Sequence, residues 1–73
     1  MKAVYSGCVA SFDEHAGRGE IAAGGGLQFP FHCTAIADGS RTIDPGAPVQ
    51  FRVVPGHLGR WEATDVEVIR PPS

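Results

Sequence analysis

Ten glycines and six prolines fall so regularly along these 73 residues that no helical apolar period of useful length survives between them. Proline removes a backbone donor and clashes with the preceding turn, and each interior glycine costs a helix about 1 kcal/mol. What does persist is alternation with a period of two, which marks strands half-buried against a core.

Five such segments are expected. "AVYSGCVASF" (Ala3 to Phe12) is rich in strand-forming residues and ends at the polar turn "DEHAGRG". "RGEIA" (Arg18 to Ala22) stops at Gly24-Gly25-Gly26, a flexible hairpin connection. "LQFPFH" (Leu27 to His32) alternates, with Leu27, Phe29 and Phe31 toward the core and Gln28, Pro30 and His32 away from it. "CTAIA" suits one helical turn, and "DGSRTIDPG" is a loop with turn signatures at Asp38-Gly39 and Asp44-Pro45-Gly46. "PVQFRVV" (Pro48 to Val54) sends Val49, Phe51 and Val53 inward and Gln50 and Arg52 outward; "PGHLG" is a further turn. "RWEATDVEVI" (Arg60 to Ile69) closes the set, with Val66 and Val68 alternating against Asp65 and Glu67, and the tail is expected to fray. Five strands with one short helical turn after the third suit an all-β, five-stranded antiparallel Greek-key barrel of the OB type, spanning 1–70 with a frayed tail at 71–73. An SH3-like barrel has a similar strand count and stays open as the alternative.

Composition narrows the function classes. The chain is small enough to be only marginally stable, carries a net charge of −2 with histidine neutral, and has no apolar stretch near the ~20 residues that span a bilayer. The opening "MKAVYSGCV" lacks an apolar run followed by a small-residue cleavage pattern, so no secretory signal and a cytoplasmic location are expected. In such a compartment Cys8 and Cys33 are expected as two buried thiols. His15, His32, Cys8 and Cys33 offer only one close pair, His32-Cys33, so no metal is expected, nor any cofactor or small-molecule substrate. Catalysis finds little support either. Ser6, Ser11, Asp13 and His15 are too generic to form a triad, "AAGGGLQF" lacks the lysine and helix of a phosphate loop, and strand neighbours such as His32 and Cys33 point to opposite faces.

The order of the turns resembles the bacterial cold shock domain family. The family's lysine-glycine-phenylalanine-glycine-phenylalanine-isoleucine motif is matched by "AGRGEI" (Ala16 to Ile21), its third strand by "FPFHCTAI" (Phe29 to Ile36), and its following loop and strand by "GSRTIDPGAPVQF" (Gly39 to Phe51). "VVPGHLG" and "DVEVI" resemble its last turn and strand, so the similarity spans nearly the whole chain, with one residue missing before Gly39 and one extra near Trp61 and Glu62. Scaffold positions match: Gly7, Val9, Phe12, Gly17, Gly19, Ile21, His32, Ala35, Ile36, Gly39, Gly46, Val49 and Phe51.

The resemblance implies a binder of single-stranded RNA or DNA that stacks bases on outward aromatic rings. At the positions of those rings stand Ser11, Arg18, Glu20, Pro30, Cys33 and Ser40, while Phe12 and His32 remain. The family's asparagine after Phe12 is Asp13, and its lysine before Gly17 is Ala16. Each base–aromatic stack is worth ~1–3 kcal/mol, so losing this set removes about 5 kcal/mol even at the low end. That is roughly three to four decades of affinity. Weak binding is therefore expected, with Phe12 and His32 as surviving stacking residues, Arg18 and Arg41 on phosphates, and Trp61 as an added platform. The plainer alternative has Trp61 packed over an open barrel end and the arginines solvating the surface. A second function class, a protein-interaction module, is motivated by the missing rings together with Asp13 and Glu20. Convergence of Arg18, Arg41, Arg52 and Arg60 on one face would favour nucleic acid; scatter would favour a protein partner.

Overall fold

The computed structural model describes residues 3–56 and 59–69. Five strands, β1 (Tyr5–Asp13), β2 (Arg18–Ala23), β3 (Gln28–His32), β4 (Pro48–Pro55) and β5 (Trp61–Val68), form one antiparallel sheet in the order β3-β2-β1-β4-β5. Short 3-10 turns occupy Gly24–Gly26 and Cys33–Ala35, the second where a helical turn is expected.

The turns follow from local chemistry. After β1 the Asp13 carboxylate accepts from the backbone N–H groups of His15 (3.0 Å) and Ala16 (3.2 Å), and Gly17 N–H donates to Asp13 O at 2.8 Å with φ +68°. Aspartate supplies such local acceptors readily, and glycine takes the left-handed conformation without steric cost. The Asp44-Pro45-Gly46-Ala47 turn sets proline at its second position and Gly46, φ +88°, at its third, closed by Ala47 N–H to Asp44 O at 3.1 Å.

Two irregularities shape the sheet. On β1 the register passes from Val9↔Ile21 to Ser11↔Glu20, leaving Ala10 as the extra residue of a bulge. On β5 the register passes from Gln50↔Glu67 to Arg52↔Thr64, and Asp65 takes φ +50° there. Each bulge shifts the alternation by one. Val9 and Phe12 therefore both turn toward the core, as do Ala63 and Val66.

Val9, Ile21, Phe31, Ile36, Ile43, Val49, Phe51, Ala63 and Val66 form the buried core, with Phe12, Phe29 and Val53 packed against it. The crossover from β3 to β4 is held to the sheet at two places. Ile36 makes a parallel bridge to Val66, with Ala37 N–H donating to Val66 O at 2.8 Å. Near the other end, Gly46 N–H donates to Val9 O at 2.7 Å, and Val9 N–H to Ala47 O at 3.0 Å. The edge strands β3 and β5 consequently come into contact.

Three expectations need correction. Leu27 is 57% exposed rather than in the core, because the β2–β3 ladder ends at Ala22↔Gln28 and leaves it on the turn. Val68 is exposed although it shares a face with Val49, because it sits at the last register position of the sheet. Cys8 is an exposed free thiol on the outer face of β1, while Cys33 is half-buried. The expected tail at 71–73 and the middle of the expected 55–59 turn lie outside the described residues.

Gly19 is required by close packing: a Cβ there would collide with Ser11 O and press on the Phe12 and Phe31 rings. Gly19→Ala should lower stability by about 1–3 kcal/mol, seen as an earlier urea midpoint. Gly24→Ala, with open space around that position, should stay within about 0.5 kcal/mol of the parent.

Candidate nucleic-acid interface

The outer face of β1, β2 and β3 is ordered in cross-strand rows. Asp13, Arg18 and His32 form one row, and Ser11, Glu20 and Pro30 the next. Strand neighbours on one face lie two residues apart, about 7 Å along the chain, so Arg18 and Glu20 stand side by side. Pro30 is accommodated because β3 is an edge strand of the ladder, with hydrogen-bonded pairing only to β2.

A groove of about 680 Å³ runs over this face, lined by Ser11, Arg18, Gly19, Glu20, Pro30, Phe31, His32, Arg60 and Glu62. Its far wall comes from the start of β5 and the residue before it, because contact between β3 and β5 carries Arg60 and Glu62 alongside Pro30. Glu62 lies over Gly56, where its side chain fills the space that a Cβ would take. Gly56 N–H donates to Arg60 O at 2.6 Å, tying off the connection that carries both residues.

The expected site residues divide. Arg18 and His32 line the groove and are exposed. Phe12 does not line it: the bulge at Ala10 turns its half-buried ring inward, stacked on Phe31 with centroids 5.9 Å apart and planes at 15°. Arg41 lies in the crossover loop with φ +63°, and Trp61 is 57% exposed; neither lines the groove. Trp61 pairs with Pro55 and is out of step with Arg60 and Glu62, which flank it in sequence. Arg52 also stands elsewhere, 3.6 Å from Asp65 across the β4–β5 pair. The arginines thus split, Arg18 and Arg60 in the groove and Arg41 and Arg52 outside it.

Arg60 and Glu62 complete the site; Arg60 is one of the four arginines weighed in the sequence, whereas Glu62 is absent from the candidate site residues there. The signal available for them was alternation along β5, which puts residues 60 and 62 on one face and 61 on the other. Charge in the groove is balanced, two arginines against Glu20 and Glu62. None of the four makes an ion pair or side-chain hydrogen bond among the described residues. Pro30 adds apolar surface, while Phe31 borders the groove with its ring buried in the core.

His32 is held in place. Its Nδ1 accepts from Thr34 N–H at 3.3 Å and lies 3.0 Å from Thr34 Oγ1. A backbone N–H can only donate, so the neutral ring carries its proton on Nε2. Cys33 Sγ lies 3.8 Å from the same Nδ1. The two side chains do not point apart as strand alternation suggests, because β3 ends at His32 and Cys33 opens the 3-10 turn.

In fold, the chain matches a solved chain of Drosophila Unr, CSD456, with a TM-score of 0.79 and 29% identity over 99% of its length. Its fold is that of a cold-shock-like domain. It spans 29% of the length of that Unr chain. No family model and no curated protein matches the sequence. The cold-shock-like domain keeps the sheet and its turns, and the outward positions named from the family pattern, Ser11, Arg18, Glu20 and Pro30, do face the groove.

A long-range proton–nitrogen spectrum of the neutral His32 ring should show the Nε2–H tautomer. Thr34→Ala should increase the ring's mobility while changing the unfolding free energy from urea titration by no more than about 0.5 kcal/mol, as expected at an exposed site. An Nδ1–H signal would contradict the cap.

Proposed function

We propose that this domain binds single-stranded RNA or DNA weakly, laying it along the groove between the outer face of β1–β3 and the start of β5. The observation that carries the reading is the meeting of Arg18, His32 and Arg60 beside Pro30 in that one groove. Arginine supplies phosphate contacts and a planar surface for a base, and proline offers a flat apolar face in place of a lost ring. The cold-shock-like fold supports the same reading. We take the sheet as a partly open OB-type barrel spanning 1–70, a binding module and not an enzyme, working in a reducing cytoplasm where Cys8 stays a thiol.

A second reading, a protein-interaction module, has its own support. Glu20 and Glu62 cancel the positive charge of the groove, and Arg41 and Arg52 stand outside it. A polyanion prefers an excess of positive charge, whereas a peptide of mixed charge does not. The cold-shock-like fold tips the balance to nucleic acid.

The test is a titration with a short oligouridine at two ionic strengths. Binding should weaken with salt, and the slope for single strands, about −0.7 per phosphate, should fall when either Arg18→Ala or Arg60→Ala is introduced. Arg41→Ala and Arg52→Ala should leave the slope unchanged. Replacing Arg18 and Glu20 together by phenylalanine should tighten binding by about tenfold or more, since each restored stack contributes ~1–3 kcal/mol. An absence of binding at low salt, both by the oligouridine and by the same strand carrying a guanosine, would overturn the reading in favour of a protein partner.

A further inference from the structure

Resting on the groove as the nucleic-acid site, we propose that it selects guanine over uracil or thymine, with the carboxylates of Glu20 and Glu62 reading the base edge. Both residues are half-buried in the groove. Neither has an ion-pair or hydrogen-bond partner among the described residues, and both contribute to the lining that an entering strand meets.

An ionised carboxylate only accepts hydrogen bonds. It repels phosphate, so a strand lying here must turn its base edges, and not its backbone, toward Glu20 and Glu62. The backbone is then left to Arg18, two residues from Glu20 on the same face, and to Arg60, two residues from Glu62 on the wall. Each arm of the groove therefore carries a cation for phosphate beside an anion for a base.

Base chemistry decides the rest. Guanine presents two adjacent donors, N1–H and N2–H, which match the two oxygens of a carboxylate. Uracil and thymine present one N–H flanked by carbonyl oxygens, so a carboxylate gains one bond and meets like partial charge on either side. Cytosine and adenine each offer an amino group beside an acceptor nitrogen and should fall between. Glu62 is placed for this role by Gly56, since its side chain lies where any Cβ would have displaced it.

Fluorescence anisotropy with two labelled RNA hexamers, six uridines and the same strand with one central guanosine, tests the inference. The guanosine strand should bind about tenfold more tightly, within the range of a good bidentate base contact. Glu20→Gln with Glu62→Gln should bring the two strands within about twofold, chiefly by strengthening the uridine strand as the repulsion is relieved. Equal binding by the parent domain, or a preference for uridine, overturns base selection and leaves the proposed function standing. No binding of either strand at low salt overturns the proposed function as well. A guanosine preference that survives the double substitution assigns it to other groups and overturns the role given to the carboxylates.

Discussion

Ala10 is the residue that β1 has in excess of β2, and the arrangement of both faces of the sheet depends on it. Without a bulge, strict alternation would place Val9 and Ser11 on one face and Phe12 on the other. With it, Val9 and Phe12 enter the interior and Ser11 stands outside beside Glu20. The kink also aims Val9 at the crossover loop, whose Gly46 and Ala47 bond to both of its backbone groups. One inserted residue therefore fixes the core, fastens the longest connection in the described chain and sets the floor of the groove.

The bulge at Asp65 does the complementary task on β5. It brings Val66 into the core at three residues from Ala63, and Val66 then anchors Ile36 and Ala37. That anchor carries the end of β3 toward β5, so that Arg60 and Glu62 face Pro30 and His32 across the groove. Fully burying a side chain such as Val66 or Ile36 contributes about 1.5–3 kcal/mol. The groove wall is thus positioned by the same packing that stabilises the domain.

Much of this was legible in the sequence. Glycine and proline punctuation and the alternation in "QFPFH" and "PVQFRVV" located the strands and the outward placement of Pro30 and His32, while that of Arg18 and Glu20 came from the family resemblance. What escaped has one physical origin: alternation assumes an unbroken register, and a bulge has no residue signature of its own. Ala10 is an ordinary strand residue, and Asp65 in the left-handed region is tolerated because aspartate pays less than most residues there. The inward turn of Phe12 could not be seen for that reason. Leu27 and Val68 were misplaced for another: alternation gives the face but not where the pairing ends. Arg60 and Glu62 became site residues only when two strands distant in sequence met at the sheet's edges.

The chemistry of the groove depends on how charge replaced rings. Aromatic stacking is nearly indifferent to salt and to the identity of the base, because every base has a π-face. A groove built on Arg18, Arg60, Glu20 and Glu62 behaves in the opposite way. Its net charge is close to zero with histidine neutral, so it exerts little attraction at distances beyond the Debye length of ~8 Å at physiological salt. Within contact distance, however, each arginine and each carboxylate makes a demand on what lies opposite it, and a misplaced phosphate or carbonyl is penalised. Exchanging flat rings for alternating charges therefore lowers affinity for strands in general while raising the difference between one ligand and another.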